Sequence, residues 1–266
     1  MRYAIPNIFL FCLLSILFLG CARQEQTGLT ITDGVLSVGV EIGYPPMEYY
    51  DINGVLSGFD IELTKAIAEK LGLEIKYIDT TWDGILHGLD TSRYDIAVNV
   101  TILPERQIKY NFTRPYIDSS MTIVAQANSS IRIDSIQDIT GYRIAYQGDT
   151  TAQYFTERLR EQQLIFTSFS YEKIINCFDD LKLGRVDLVV VDNIVASHYA
   201  EKEHSAFKII WQGKSDEYIG FCLKKGNDAL TIKINNALEE LFKDGTMLEI
   251  SRRIFNADLV SSIMDF

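Results

Sequence analysis

Cysteine, histidine and proline are scarce in this 266-residue chain, at four, three and five copies. Two of the cysteines, Cys12 and Cys21, fall near the N-terminus, which leaves only Cys177 and Cys222 for the folded body and excludes a disulfide-dense scaffold. Both lie in apolar stretches and read as small buried hydrophobes, while a disulfide between them stays open because sequence does not fix its geometry. His87, His198 and His204 stand at no metal-ligand spacing from cysteine or from each other, so neither a metal site nor a cofactor is expected. Positive charge is also in deficit: 25 Lys and Arg against 36 Asp and Glu give a formal charge of -11, which argues against a nucleic-acid partner. With 47% hydrophobic and 23% charged residues the composition is that of a globular chain, not of a disordered or collagen-like one. The length allows one or two domains with an ample core, so folding demands no partner and a monomer is expected.

The apolar run Ile8 to Leu19 is too short to span a bilayer. Arg2 precedes it and Gly20-Cys21 follows, so residues 1–20 read as a secretory signal peptide. Leu17-Phe18-Leu19-Gly20-Cys21 resembles the lipobox of bacterial lipoproteins, with Phe18 where leucine is usual. That resemblance implies acylation of Cys21, a polar tether over residues 21–33, and a location in the periplasm or at the cell surface, held to a membrane by the N-terminal lipid.

From residue 35 onward short β-rich runs alternate with helical patterns, the mark of βαβ units and a mainly parallel sheet. Val35–Val40, Glu74–Asp79 and Tyr94–Asn99 read as strands; Phe59, Leu63, Ile67 and Leu71 recur every four residues, which predicts a helix over 59–72 ended by Gly72. Trp82–Leu89 reads as a shorter helix. A second series begins near residue 119, with strands at Met121–Gln126, Tyr142–Tyr146 and Asp187–Val191 and helices at Thr150–Arg160 and Tyr171–Leu183. Near the C-terminus Ile234, Leu238 and Leu241 share one face of a helix over Asp228–Lys243, with Gly245 just past its end. No long polar linker separates the two series, so close chain crossings should join them.

Ligands of open α/β sheets bind beyond the carboxyl ends of the strands. The residues expected there are Glu41 and Tyr44 after the first strand, Trp82 after the second, Asn99, Val100, Thr101 and Arg106 at the third, Tyr146, Gln147, Asp149 and Thr150 before a helix, and Asp192 closing the last strand. Five segments in order, Gly43-Tyr44-Pro45-Pro46-Met47-Glu48, Gly58-Phe59-Asp60-Ile61-Glu62-Leu63, Trp82-Asp83-Gly84-Ile85, Thr101-Ile102-Leu103-Pro104-Glu105-Arg106 and Gly184-Arg185-Val186-Asp187, resemble the bacterial extracellular solute-binding proteins of family 3 over about residues 34–257.

The resemblance implies a two-lobed α/β periplasmic-binding-protein fold of type II, with discontinuous lobes joined by a two-strand hinge. It places lobe 1 at 34–118 and 219–266 and lobe 2 at 119–218. It further implies a small-molecule amino-acid ligand handed to the permease of an ABC importer, with no catalysis. Arg106 and the helix start at Thr150 would take the ligand's carboxylate; Asp192, helped by Thr101 and by backbone near Asn99 and Val100, would take its ammonium. Tyr44 and Trp82 match positions that sandwich the side chain, Tyr146 and Gln147 would line the other wall, and Glu41 adds charge at the far end. This favours arginine, lysine, ornithine or cystine, with glutamine and histidine as alternatives. Asp149 would repel a carboxylate and is expected to point outward as a helix cap. The competing readings are a cyclohexadienyl dehydratase-like enzyme with Glu41 or Asp149 as its acid, and a sensing module acting through a separate partner.

Overall fold

The computed structural model describes residues 28–263; the signal segment and Cys21 lie outside them. In chain order the elements are β1 (Val35–Val40), the two-residue strands β2 (Tyr49–Tyr50) and β3 (Leu56–Ser57), α1 (Phe59–Leu71), β4 (Glu74–Asp79), α2 (Ile85–Asp90), β5 (Ile96–Thr101), α3 (Pro104–Lys109), β6 (Tyr110–Phe112) and β7 (Ile117–Ser119). There follow β8 (Met121–Gln126), β9 (Arg143–Gln147), α4 (Thr151–Glu161), β10 (Thr167–Tyr171), α5 (Ile174–Lys182), β11 (Leu188–Asp192), α6 (Asn193–Lys202), β12 (Phe207–Gln212), β13 (Glu217–Lys224), α7 (Asp228–Lys243) and α8 (Thr246–Phe255).

These strands form two mixed sheets. The first runs β4-β1-β5-β13-β6, with β7 also paired to β13; the second runs β10-β9-β11-β8-β12. In the first sheet β4, β1 and β5 are parallel and β13 lies antiparallel to β5. In the second, β10, β9 and β11 are parallel while β8 runs antiparallel to β11 and β12. The chain passes from first sheet to second between Ser119 and Met121 and returns between Gln212 and Glu217. This is the two-lobed type II arrangement, in which the first sheet is completed by chain that has already built the second.

Apolar periodicity places the helices. Phe59, Ile61, Leu63 and Ile67 of α1 and Leu230, Ile234, Leu238 and Leu241 of α7 are buried in one cluster with Leu36, Val38 and Val40 of β1. Gly72 ends α1 in the left-handed conformation (φ 66°) and returns its N–H to the last turn of that helix. Gly58 permits a close approach instead, since at φ 127° its missing Cβ would lie 2.1 Å from the Met47 carbonyl oxygen. The N–H groups of Phe59 and Asp60 therefore reach the carbonyls of Pro46 and Met47 and clamp the Tyr44 turn onto the start of α1.

Two of the expected elements differ. Tyr171 closes the strand Thr167–Tyr171, and the helix expected from that residue begins only at Ile174. Most of that strand's residues face solvent at the sheet edge, so it carries too few apolar positions to announce itself. The strand expected at Tyr94–Asn99 runs over Ile96–Thr101, while Tyr94 packs against Gly39 and Gly88, where any side chain would collide with its ring. Cys177 and Cys222 are buried free thiols in different core clusters.

Candidate functional site

The carboxyl ends of β1 and β5 in one sheet and of β9 and β11 in the other meet around a cavity. Glu41, Tyr44, Trp82, Asn99, Thr101, Gln147, Thr150 and Asp192 line it.

Hydrogen bonds cross this cleft. Gln147 Nε2 donates to both carboxylate oxygens of Glu41, at 2.8 and 2.9 Å. Tyr44 donates its hydroxyl to Asp192 Oδ2 at 2.5 Å. Trp82 Nε1 donates to the Asp149 carbonyl at 2.9 Å. Glu41 is buried, and the loss of water pushes its carboxyl up to about 7 although Gln147 pulls the other way. Burial likewise raises Asp192, partly offset by the bonds from Tyr44 and from the Val195 N–H that it caps. The Tyr44 phenol is held well above its ordinary range, first by burial and then by the Asp192 charge.

Arg106 stands behind Thr101 and Trp82. Only 7% exposed, its guanidinium donates to the Thr101 carbonyl at 3.2 Å and lies 5.9 Å from the Trp82 ring, with no carboxylate partner among the described residues. Such a group sits one layer behind the lining and keeps most of its donors unused. Across the cavity, α4 begins at Thr151, and no side chain caps its N-terminus; the Thr150 hydroxyl instead donates to the Gln147 carbonyl at 2.7 Å. Beneath the floor, Asn99 holds a left-handed backbone (φ 57°) and donates its N–H to the Tyr116 hydroxyl. Tyr116 is buried with Glu48 and Asp60, both raised chiefly by loss of water, Asp60 to about 7.

Three expected residues are placed otherwise. The Val100 side chain is buried with Ile85, Leu89 and Tyr94 in the core, because it alternates with Asn99 and Thr101 along the strand. Tyr146 alternates with Gln147 in the same way and packs against Ile144 and Leu188, its hydroxyl 3.5 Å from Ser168 Oγ. Asp149 contributes its backbone carbonyl while its side chain is exposed, as expected; the helix cap position, however, belongs to Thr150. Three lining residues had escaped the sequence, Ser119, Glu217 and Ile219, while Thr151 follows the expected Thr150 in the polar stretch before the helix. Glu217 sits in the polar stretch Lys214-Ser215-Asp216-Glu217, which looks like a solvated loop. Only the pairing of Glu217 with Ser119 across the two chain crossings brings it to the cavity.

The cavity is thus lined by three carboxylates, Glu41, Asp192 and Glu217, with one guanidinium behind them. Among known proteins, the model of the bacterial extracellular solute-binding proteins, family 3, matches residues 36–257. The L-cystine-binding protein TcyJ of Escherichia coli (strain K12) is 32% identical over 227 residues, 85% of this chain and 84% of that protein. The ABC transporter arginine-binding protein 1 of the same strain is 29% identical, over 83% of this chain and 90% of its own length. Among solved structures, an ancestral arginine-binding protein bound to arginine is 36% identical, with a TM-score of 0.78 over 84% of this chain and 98% of that one. All three are named as binding proteins.

Proposed function

The chain belongs to the bacterial extracellular solute-binding proteins, family 3, and on that premise we propose that it captures an amino acid carrying a second positive group and delivers it to the permease of an ABC importer. The observation that carries this reading is the charge of the cavity: three buried or half-buried carboxylates face one space that no lining cation neutralises. A dry cavity of that charge is costly until a cation enters it. The ligand's α-carboxylate is assigned to Arg106, whose donors are mostly unused, and to the uncapped N-terminus of α4 at Thr150 and Thr151. Its α-ammonium is assigned to Asp192, with Thr101 alongside. The distal positive group goes to Glu41 and to Gln147, whose Oε1 is buried without a partner. The rings of Tyr44 and Trp82 lie along the stem between those ends. The names of the cystine- and arginine-binding relatives support the same pair of chemistries, a second amino group or a guanidinium.

The lobes are proposed to run over 34–118 with 219–266 and over 119–218; the chain passes between the sheets within one or two residues of those bounds, at 119–121 and 212–217. The protein is assigned to the outer side of a membrane, anchored as a monomer through an acylated Cys21. Isothermal titration with L-arginine, L-lysine, L-ornithine and L-cystine is expected to give one-to-one binding for at least one of them. Arg106→Ala should abolish that heat while leaving the unfolding transition in place. Absence of heat with every amino acid overturns the reading; unchanged affinity in Arg106→Ala removes the carboxylate assignment alone.

A further inference from the structure

Glu217 is the first residue of β13, on the returning crossing, and pairs in register with Ser119 on the outgoing one. Its carboxylate lines the cavity, and its one hydrogen-bond partner among the described residues is the Thr151 hydroxyl, 3.2 Å from Oε2. Thr151 opens α4, so this bond ties the returning crossing to the opposite wall of the cleft. Asp192 is close enough that its charge acts on Glu217. Both oxygens of Asp192 are already engaged, Oδ1 by the Val195 N–H at 2.9 Å and Oδ2 by the Tyr44 hydroxyl at 2.5 Å.

A primary ammonium stripped of water must place three N–H bonds on acceptors. Asp192 supplies the opposite charge, but its two oxygens have half of their capacity committed to the protein itself. A second carboxylate beside it, with one oxygen unused, meets the remaining demand. Resting on the amino-acid reading above, we propose that Glu217 is a further ligand-contacting residue, its carboxylate sharing the ligand's α-ammonium with Asp192. This gives the cavity two acid seats of unequal size: a paired seat at the crossings, formed by Asp192 and Glu217, and a single seat at Glu41. A ligand with an α-ammonium and a second cationic group fills both.

The pairing also has a proton consequence. Burial, and then the charges of Asp192 and Asp216, push the Glu217 carboxyl up to about 7, against the Thr151 bond and the Arg158 charge, which pull it down. Near neutral pH it therefore carries about half a proton, which the arriving ammonium displaces.

The test compares the native protein with Glu217→Gln and Glu217→Asp in titrations at pH 7 with L-arginine, L-ornithine and L-cystine, and with 5-guanidinopentanoic acid, which is arginine without its α-amino group. Glu217→Gln is expected to weaken the amino acids at least tenfold, with partial recovery in Glu217→Asp, and to leave the desamino compound within twofold of its native affinity. Repeating the titrations in buffers of different ionisation enthalpy should show about half a proton less released by Glu217→Gln than by the native protein. Thermal melts of both variants keep a folding defect from passing as a binding one. If Glu217→Gln binds the amino acids as the native protein does, or weakens the desamino compound equally, Glu217 does not hold the α-ammonium and the proposal is overturned while the amino-acid reading stands. If the native protein itself takes none of the three amino acids, both fall together.

Discussion

Raising the pH should weaken the fold of this protein when no ligand is added, and the acids beneath and beside the cavity set how much. Glu41 and Asp60 are 4% and 0% exposed, and burial pushes each up to about 7. Folding therefore raises their proton affinity above that of the unfolded chain. Between about pH 4.5 and 7 the folded state holds protons that the unfolded state releases, so stability is greatest at the acid side of that window and falls as pH rises. Each such group costs about 1.4 kcal/mol per pH unit, so the 1.5 units from pH 5.5 to 7 cost about 2 kcal/mol for each acid and about 4 kcal/mol for the two. Glu48, raised by burial and then by the Asp60 charge, adds in the same direction. His198, lowered by burial, opposes them, since its neutral form is favoured in the fold and its contribution grows as pH rises. Glu217, raised to about 7, adds to these three acids, and together they outweigh one opposing imidazole. A loss of about 4 kcal/mol is a large share of the 5–15 kcal/mol typical of a whole domain. Urea unfolding at pH 5.5 and 7.5 measures it, and the double substitution Glu48→Gln with Asp60→Asn should reduce the slope while leaving the share that Glu41 and Glu217 contribute. A stability that is level or rises across this range in the native protein would refute the assignment of protonated acids to the folded state.

Ligand affinity should run the opposite way. A distal cation needs ionised Glu41, so at pH 5.5, 1.5 units below a carboxyl at about 7, binding of L-arginine should be at least roughly 30-fold weaker than at pH 8, and Glu41→Gln should remove the Glu41 share of that dependence along with most of the affinity, leaving the share of Glu217. Gly58→Ala should destabilise the fold by more than ~3 kcal/mol, because a methyl would meet the Met47 carbonyl oxygen at 2.1 Å and the backbone sits at φ 127°, which denaturant unfolding would reveal. Leu238→Ala, at a fully buried site in α7, should cost about 2–5 kcal/mol in the same assay without altering the affinity of the protein that remains folded.

Much of this architecture was legible because its helices advertise themselves. The four-residue recurrence at Phe59, Leu63 and Ile67 and the stop at Gly72 gave the bounds of α1, and Ile234, Leu238 and Leu241 gave those of α7. The strand ends carried the cavity residues Glu41, Thr101, Gln147 and Asp192, since parallel strands of both sheets bring their carboxyl ends together. The misplaced residues share one cause. Val100 and Tyr146 each neighbour a lining residue on a strand, and the pleat turns adjacent side chains to opposite faces. A strand end can be located from sequence while it stays open which of two neighbours faces the ligand. Glu217 and Ser119 were hidden for a different reason: they meet only through the pairing of two segments far apart in the chain, and nothing local in a polar stretch announces that contact.

The arrangement has a cost that explains its use. Carboxylates converging on one enclosed space repel each other and lose water, so Glu41, Asp192 and Glu217 hold the fold below the stability that apolar residues of the same size would give. A cation entering the cavity relieves that penalty, so destabilisation built into the protein reappears as affinity for the ligand. The bonds that cross the cleft work to the same end. Tyr44 to Asp192, Gln147 to Glu41, Trp82 to the Asp149 carbonyl and Thr151 to Glu217 join the two walls with polar contacts worth about 0.5–1.5 kcal/mol each, or more where a charge takes part. Such contacts are individually weak enough to exchange for water when the lobes part at the short crossings 119–121 and 212–217. A ligand that places its two cationic ends on the same acids adds attractions available only when both walls are near. On the function proposed above, the closed form would gain more from the ligand than the open one, and that difference would drive the two lobes together.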